Sequence, residues 1–116
     1  MKAKDIFILS IVLLLSISLT RIRYVGDAYP GQELELYTSV LNSQDKEAKD
    51  VRVVVDFPDL GYVYNFDRFD VADRDHYGKI STIYIPEELK SGEYLFRITA
   101  SNDEQTTRKF RYIIVE

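Results

Sequence analysis

From Leu19 to the end of the chain, apolar and polar side chains alternate, and each alternating run closes in a turn signal. Successive side chains of an extended strand point to opposite faces, so a period of two writes one dry face and one wet face. Thr20 to Val25 sets Ile22 and Tyr24 against Arg21 and Arg23. Glu33 to Asn42 turns Leu34, Leu36, Thr38 and Val40 inward and Glu33, Glu35, Tyr37 and Ser39 outward. Val51, Val53, Val55 and Phe57 form the next inward row, with Arg52, Val54 and Asp56 outward. Pro58 ends that run, because it has no amide hydrogen for a ladder.

The stretch from Asp59 to Gly78 is less regular. Leu60, Tyr62, Tyr64 and Phe66 alternate weakly, as a short edge strand would, and Phe69 and Val71 suit another. Asp73 to Gly78 reads as a turn, and Lys79 to Ile85 as a strand closed by Pro86. Pro86 to Gly92 has the length of a one-turn crossover with Leu89 tucked beneath it. Glu93 to Asn102 then places Tyr94, Phe96, Ile98 and Ala100 inward, with Arg97 and Thr99 outward. Arg108 to Val115 returns, with Phe110, Tyr112 and Ile114 expected inside. Pro30-Gly31 supplies a type II turn, proline fixing the first corner and glycine accepting φ > 0 at the second. Short strands at this spacing, with no amphipathic helix among them, predict an all-β, immunoglobulin-like sandwich of about seven antiparallel strands.

The first residues obey a different rule. After Met1-Lys2-Ala3-Lys4-Asp5, the run Ile6 to Leu19 contains no charge. Fourteen residues of helix cover about 21 Å, short of the ~20 residues a bilayer requires, and match the hydrophobic region of a secretory leader. Ser16-Ile17-Ser18 offers a small-x-small triplet for a signal peptidase. The expected division is therefore 1–18 as a hydrophobic leader helix, a signal peptide or membrane anchor, and 19–116 as the sandwich. A pilin-like leader cut after Ala3 is a further alternative. Membrane contact is expected only through residues 6–19, and only if the leader is retained. The expected location is outside the cytoplasm, secreted or at the cell surface.

Several function classes are excluded or disfavoured by composition. With no cysteine there is no disulfide framework, zinc thiolate site or cysteine nucleophile. The single histidine, His76, rules out a two-histidine zinc site. A formal charge of −4, with no basic stripe evident in the linear sequence, argues against nucleic acid as a partner. No Gly-rich phosphate loop, Gly-x-Ser-x-Gly elbow or Asn-x-Ser/Thr acceptor occurs.

Pro30-Gly31-Gln32-Glu33-Leu34-Glu35-Leu36-Tyr37, followed by Val40-Leu41-Asn42, resembles the opening of CARDB-type immunoglobulin-like domains of archaeal and bacterial cell-surface proteins. Val51 to Gly61 is similar to their next strand and its proline exit, and Ser91-Gly92-Glu93-Tyr94 to their Gly-x-Tyr strand. Ser101 to Glu104 with Arg111-Tyr112 is similar to the closing hairpin. The resemblance runs from about Leu19 to Val115 and implies a fold rather than an activity, with no catalytic residues to carry over. Such domains are usually repeated beside enzymes or adhesins, whereas here one follows a leader.

One constellation suggests chemistry. Asp67, Asp70, Asp73 and Asp75 bring four carboxylates into nine residues, the kind of oxygen-rich loop that calcium takes. Arg68, Arg74 and Lys79 lie among them, and the distal bidentate glutamate of a calcium loop is missing. A solvated, mixed-charge loop is the expected state, with no metal, cofactor or catalytic residue. Tyr94, two residues after a glycine, suits a tyrosine corner whose hydroxyl bonds nearby backbone, or an ordinary core position. Tyr29, Tyr37, Tyr62, Tyr64 and Tyr77 are the tyrosines expected at the surface. The function expected is a non-catalytic interaction or assembly module of the cell envelope, docking a protein partner or its own copies through sheet edges and loops. The alternatives are an extracellular ligand- or carbohydrate-binding domain and a pilin-like filament subunit.

Overall fold

A computed structural model describes residues 16–116. Eight strands follow one another: β1 (Ile17–Val25), β2 (Glu33–Asn42), β3 (Ala48–Phe57), β4 (Tyr62–Asn65), β5 (Phe69–Val71), β6 (His76–Tyr84), β7 (Gly92–Ser101) and β8 (Thr106–Val115). They build two antiparallel layers. One sheet has the order β1-β2-β6; the other has the order β4-β3-β7-β8, with β5 also pairing with β3. There is no helix among the described residues. The sandwich read from the alternation is the fold that forms, and both irregular runs of the middle segment become short edge strands.

The inward rows meet between the sheets. Leu34, Leu36 and Val40 of β2 face Val51, Val53, Val55 and Phe57 of β3 and Phe96, Ile98 and Ala100 of β7, all buried. Phe96 packs on Phe57 with ring centroids 5.9 Å apart. Replacing Phe96 with Ala removes a ring that the core cannot refill and is expected to cost about 3–5 kcal/mol. Thr99→Ala, one strand position off the core row, should cost no more than about 0.5 kcal/mol. Urea denaturation of the two variants measures the difference, and equal losses would contradict this register.

Turns and close approaches fix the layers. Gln32 N–H donates to the Tyr29 carbonyl at 3.2 Å, and Gly31 adopts φ +77°, as a type II turn around Pro30-Gly31 requires. Gly78, the third residue of β6, lies under the Tyr37 ring, and a Cβ there would stand 2.9 Å from Tyr37 Cζ. The tyrosine covers the bare backbone that glycine leaves in the strand. Beside the Pro30-Gly31 turn, where Gly31 N–H donates to the Ile85 carbonyl at 2.7 Å, the Pro86–Gly92 crossover sets Leu89 against the core.

Three features depart from the sequence reading. First, the domain begins before residue 19. Ile17 and Ser18 pair with Asn42 and Leu41, and Ile17 is buried with Leu19, so the end of the apolar run belongs to the core. The rest of the expected leader, residues 1–15, lies outside the described residues. Second, β8 has the opposite phase. Ile113 and Val115 are buried, whereas Phe110, Tyr112 and Ile114 are exposed, because Tyr94 pairs with Ile113 and Leu95 with Tyr112. Third, Ser39 and Asp56 are buried despite their outward phase. The turn expected to reach Gly78 ends at Asp75, since His76 already pairs with Leu41.

Candidate interaction surface

The outer face of the five-stranded sheet is organised in rows by strand register. Val63 of β4 stands opposite Asp56 of β3, Asp56 opposite Arg97 of β7, and Arg97 opposite Phe110 of β8. The next positions along the same edge pair Leu95 with Tyr112 and Glu93 with Ile114. Phe110, Tyr112 and Ile114 expose 51%, 61% and 54% of their surface, and Val63 exposes 57%. Spaced two apart on one strand, the three β8 side chains form a continuous apolar stripe.

At the centre of the face, Arg97 and Asp56 form a bidentate pair. Nε donates to Oδ1 at 2.9 Å and Nη2 to Oδ2 at 2.8 Å. The hydrogen bonds and charge of Asp56 raise the guanidinium's pKa further above its ordinary value. This explains the burial of Asp56: it is covered by its own partner rather than turned inward. The fork is rigid and planar, so it presents a fixed polar marker beside the apolar stripe.

The β8 edge itself is guarded against strand addition. Lys109 and Arg111 occupy the side of β8 that faces between the sheets, opposite Ile98 and Phe96. Ala28 forms a parallel bridge to Val115 and accepts the Glu116 amide at 2.8 Å, which occupies the end of the edge. Inward charges on an edge strand penalise a further strand, because pairing would bury them. A cleft of about 190 Å³ remains where β1 leans on β8, lined by Ile22, Arg23, Tyr24, Phe96, Arg111 and Tyr112. Five cations lie on β1 and β8, so the fold assembles a basic stripe that the linear sequence did not reveal.

The opposite flank is closed by tyrosines. Tyr64 O–H donates to the Tyr84 carbonyl, tying β4 to β6. Tyr62 O–H donates to Glu88 Oε1 at 2.6 Å, and that bond holds the Glu88 carboxyl below its usual range while raising the phenol. Of the five tyrosines expected at the surface, Tyr29 and Tyr77 are exposed and Tyr37, Tyr62 and Tyr64 are half-buried. Tyr94 O–H donates to the Lys90 carbonyl at 2.7 Å, four residues upstream, so it forms the tyrosine corner.

The four aspartates lie on this flank, and all are exposed. Asp70 Oδ1 accepts the Asp50 amide at 2.9 Å, where β3 bulges and Asp50 adopts φ 54°. Asp75 Oδ1 accepts the His76 amide. Arg68 and Arg74 are drawn to Asp50 and Asp45 respectively. No cluster of three or more His, Asp or Glu side chains that could hold a metal ion occurs among the described residues. A calcium ion present at a hundred times its dissociation constant would add about 2.7 kcal/mol of stability, several degrees of melting temperature for a domain this size. Thermal melts with and without millimolar calcium should coincide, and a calcium-specific rise would contradict this placement.

The geometry defines an immunoglobulin-like sandwich with an apolar stripe on the outer face of β8, and the comparisons with solved structures agree on the fold. A crystal structure of a CARDB domain from Pyrococcus furiosus, in complex with di-metal ions, superposes with a TM-score of 0.66 at 12% identity, over 87% of this chain and 88% of that one. The solution structure of the same CARDB domain gives a TM-score of 0.64 at 15% identity, over 86% and 95%. The Pseudomonas fluorescens alkylpurine DNA glycosylase AlkC, bound to DNA containing an abasic site analog, gives 0.65 at 9%; the match covers 92% of this chain but 32% of that one. No family model matches the chain, and no curated protein does. The fold is CARDB-like.

Proposed function

We propose that this chain is a non-catalytic interaction module displayed outside the cytoplasm at the cell envelope, docking a protein through the outer edge of β8. The observation that supports the reading is the stripe Phe110, Tyr112 and Ile114, each more than half exposed on a strand whose other face buries Ile113 and Val115. Contiguous apolar surface of this kind on a soluble fold marks an interaction site, and aromatic side chains beside an arginine are the usual anchors of one. The Arg97–Asp56 fork and Glu93 supply the polar surround. The guarded β8 edge favours docking on the sheet face over addition of a strand.

Two measurements test the reading in cells that produce the full chain. A photo-crosslinking phenylalanine analogue at position 112 should yield a discrete protein adduct, whereas the same probe at Glu35, on the outer face of the other sheet, should not. Absence of any adduct from positions 110, 112 and 114 overturns the docking surface. The chain contains no cysteine, so Thr82→Cys on exposed β6 provides a single reactive thiol. A membrane-impermeant maleimide should label it in intact cells, and protection until lysis would overturn the location.

A further inference from the structure

We infer that the protein docked by the β8 edge is a second copy of this chain, whose opposite, acidic flank it meets head to tail. The inference rests on the reading of β8 as a docking surface and names its partner. β1 and β8 lie side by side along one flank and carry Arg21, Arg23, Arg108, Lys109 and Arg111, without a single Asp or Glu in either strand. None of the five takes part in an ion pair among the described residues. A formal charge of −4 for the whole chain leaves −9 for everything outside these two strands. Arg21 and Arg23 edge the outer face of one sheet, Arg108 edges the other, and Lys109 and Arg111 lie between them.

The opposite flank, formed by β4, β5 and β6, is the complement. Asp67, Asp70, Asp73 and Asp75 are exposed there, while Arg68 and Arg74 are already engaged by Asp50 and Asp45. Lys79, whose Nζ reaches the Asp67 carbonyl at 3.5 Å, is the other cation of this flank. The acidic side also has an aromatic surface: Phe69 and Tyr77 stack with centroids 4.4 Å apart, and Tyr77 stays 40% exposed. Phe110 and Tyr112 can pack on that stack while the arginines meet the aspartates.

Symmetry decides between the two ways copies could join. Pairing β8 with its own copy, centred on Phe110, would set Lys109 against Arg111 twice, and like charges directly opposite destabilise a sheet. Joining unlike flanks brings opposite charges together. Because the flanks lie on opposite edges of the sandwich, each copy of a joined pair keeps one flank free, the pair keeps one of each, and a heterologous contact of this kind propagates rather than closing at a dimer. A flank about 33 Å long by roughly 20 Å wide offers somewhat less than the ~800 Å² per partner of a standard interface, so the association is reversible.

Sedimentation velocity of the chain as its cells deliver it tests the inference. Average mass should rise with concentration beyond the dimer at low salt. It should fall back toward the monomer in about 0.5 M salt, where charges are screened within roughly 4 Å. Arg108→Glu with Arg111→Glu, and separately Asp67→Lys with Asp73→Lys, should each weaken association by at least about tenfold. An equimolar mixture of the two double variants should restore it, because each then offers the flank the other lacks. Arg52→Glu, on the outer face of β3, should leave it unchanged, and unaltered thermal melts show that the variants fold. Association that ignores both reversals overturns the inference. So does a monomer at every concentration: if the probe at position 112 still captures a different protein, docking stands and self-assembly falls, and if it captures nothing, both fall. Single-stranded DNA held by the same arginines, without self-association, would overturn it in favour of a nucleic-acid partner.

Discussion

A chain that begins at Arg21 is expected to be unfolded, whereas one that begins at Ser16 is expected to fold. The apolar run that resembles a leader ends inside the sandwich: Ile17 and Leu19 are 3% and 1% exposed and lie in the core. Losing either side chain from a packed core costs about 2–5 kcal/mol, and the truncation removes both. It also strips three of the eight paired positions that hold β1 to β2, those of Ile17, Ser18 and Leu19. Further ties disappear with them. The Ile17 amide donates to Gln105 Oε1 at 2.7 Å, and Ser43 Oγ donates to the Ser16 carbonyl at 2.7 Å. Against the roughly 5–15 kcal/mol of a whole domain, the sum is enough to leave no stable fold. Circular dichroism and heteronuclear NMR of the two truncations decide the matter. A well-folded chain from Arg21 would show that β1 is dispensable.

The same contacts relocate any maturation cut. The triplet Ser16-Ile17-Ser18 is strand, so a peptidase acting after Ser18 would remove a core residue from the product. Mass spectrometry of the mature chain should therefore find an N-terminus at or before Ser16. The apolar stretch left ahead of the strand is Ile6 to Leu15, ten residues, well below the ~20 that span a bilayer and within the range of a secretory hydrophobic region. Only Ala3 and Ser10 are small in residues 1–15, so no small-x-small triplet marks the cut there.

The start of β1 within the apolar run was illegible for a physical reason. A buried strand end and a membrane-directed helix both read as a continuous apolar run, and periodicity cannot divide them. Where alternation was long and clean, as in β2, β3 and β7, the inward rows were read correctly from Leu34 to Ala100. β8 failed because both of its phases are apolar near the end: Phe110, Tyr112 and Ile114 compete with Ile113 and Val115. Ring size favoured the wrong phase, and the pairing of Tyr94 with Ile113 settles it. That single inversion hid the apolar stripe, since its residues were expected in the core. The basic flank was hidden for another reason. Its two strands are separated by some eighty residues of sequence, and only the stacking of the sheets brings them together. Arg97 and Asp56 were both placed outward, but their ion pair depends on a register that no local pattern encodes.

Replacing Asn42 with Leu is expected to destabilise the domain by on the order of 5 kcal/mol, although the substitution keeps the branched four-atom side chain and adds apolar character. Asn42 is 0% exposed at the end of β2, and its side chain ties together two other segments. Nδ2 donates to the Lys46 carbonyl at 2.8 Å and to the Val71 and Ala72 carbonyls at 3.1 Å each. Oδ1 accepts the Gln44 amide at 3.1 Å. One side chain therefore joins the β2–β3 loop to β5, where no backbone ladder can run because the chain is turning on both sides. Leucine would take from the Lys46 and Val71 carbonyls and the Gln44 amide the partner that Asn42 provides, while the Ala72 carbonyl keeps the Asp75 amide at 3.2 Å; each orphaned group costs about 1–3 kcal/mol when water cannot replace the bond. The damage should be local first. Hydrogen exchange at Gln44 and through Phe69–Val71 should accelerate more than at Val53 or Ile98, because the β5 attachment loosens while the β3–β7 core keeps its packing. Asn42→Asp separates geometry from burial: it retains the acceptor for Gln44 but puts an anion against three carbonyls, and should be at least as destabilising near neutral pH. If Asn42→Leu instead melted within a degree of the parent, the asparagine side chain would be a passenger and the loop would be held by its other bonds, among them the residue-42 backbone amide to the Asp75 carbonyl, the Arg74 amide to the Gln44 carbonyl and the Ser43 amide to the Ser16 carbonyl.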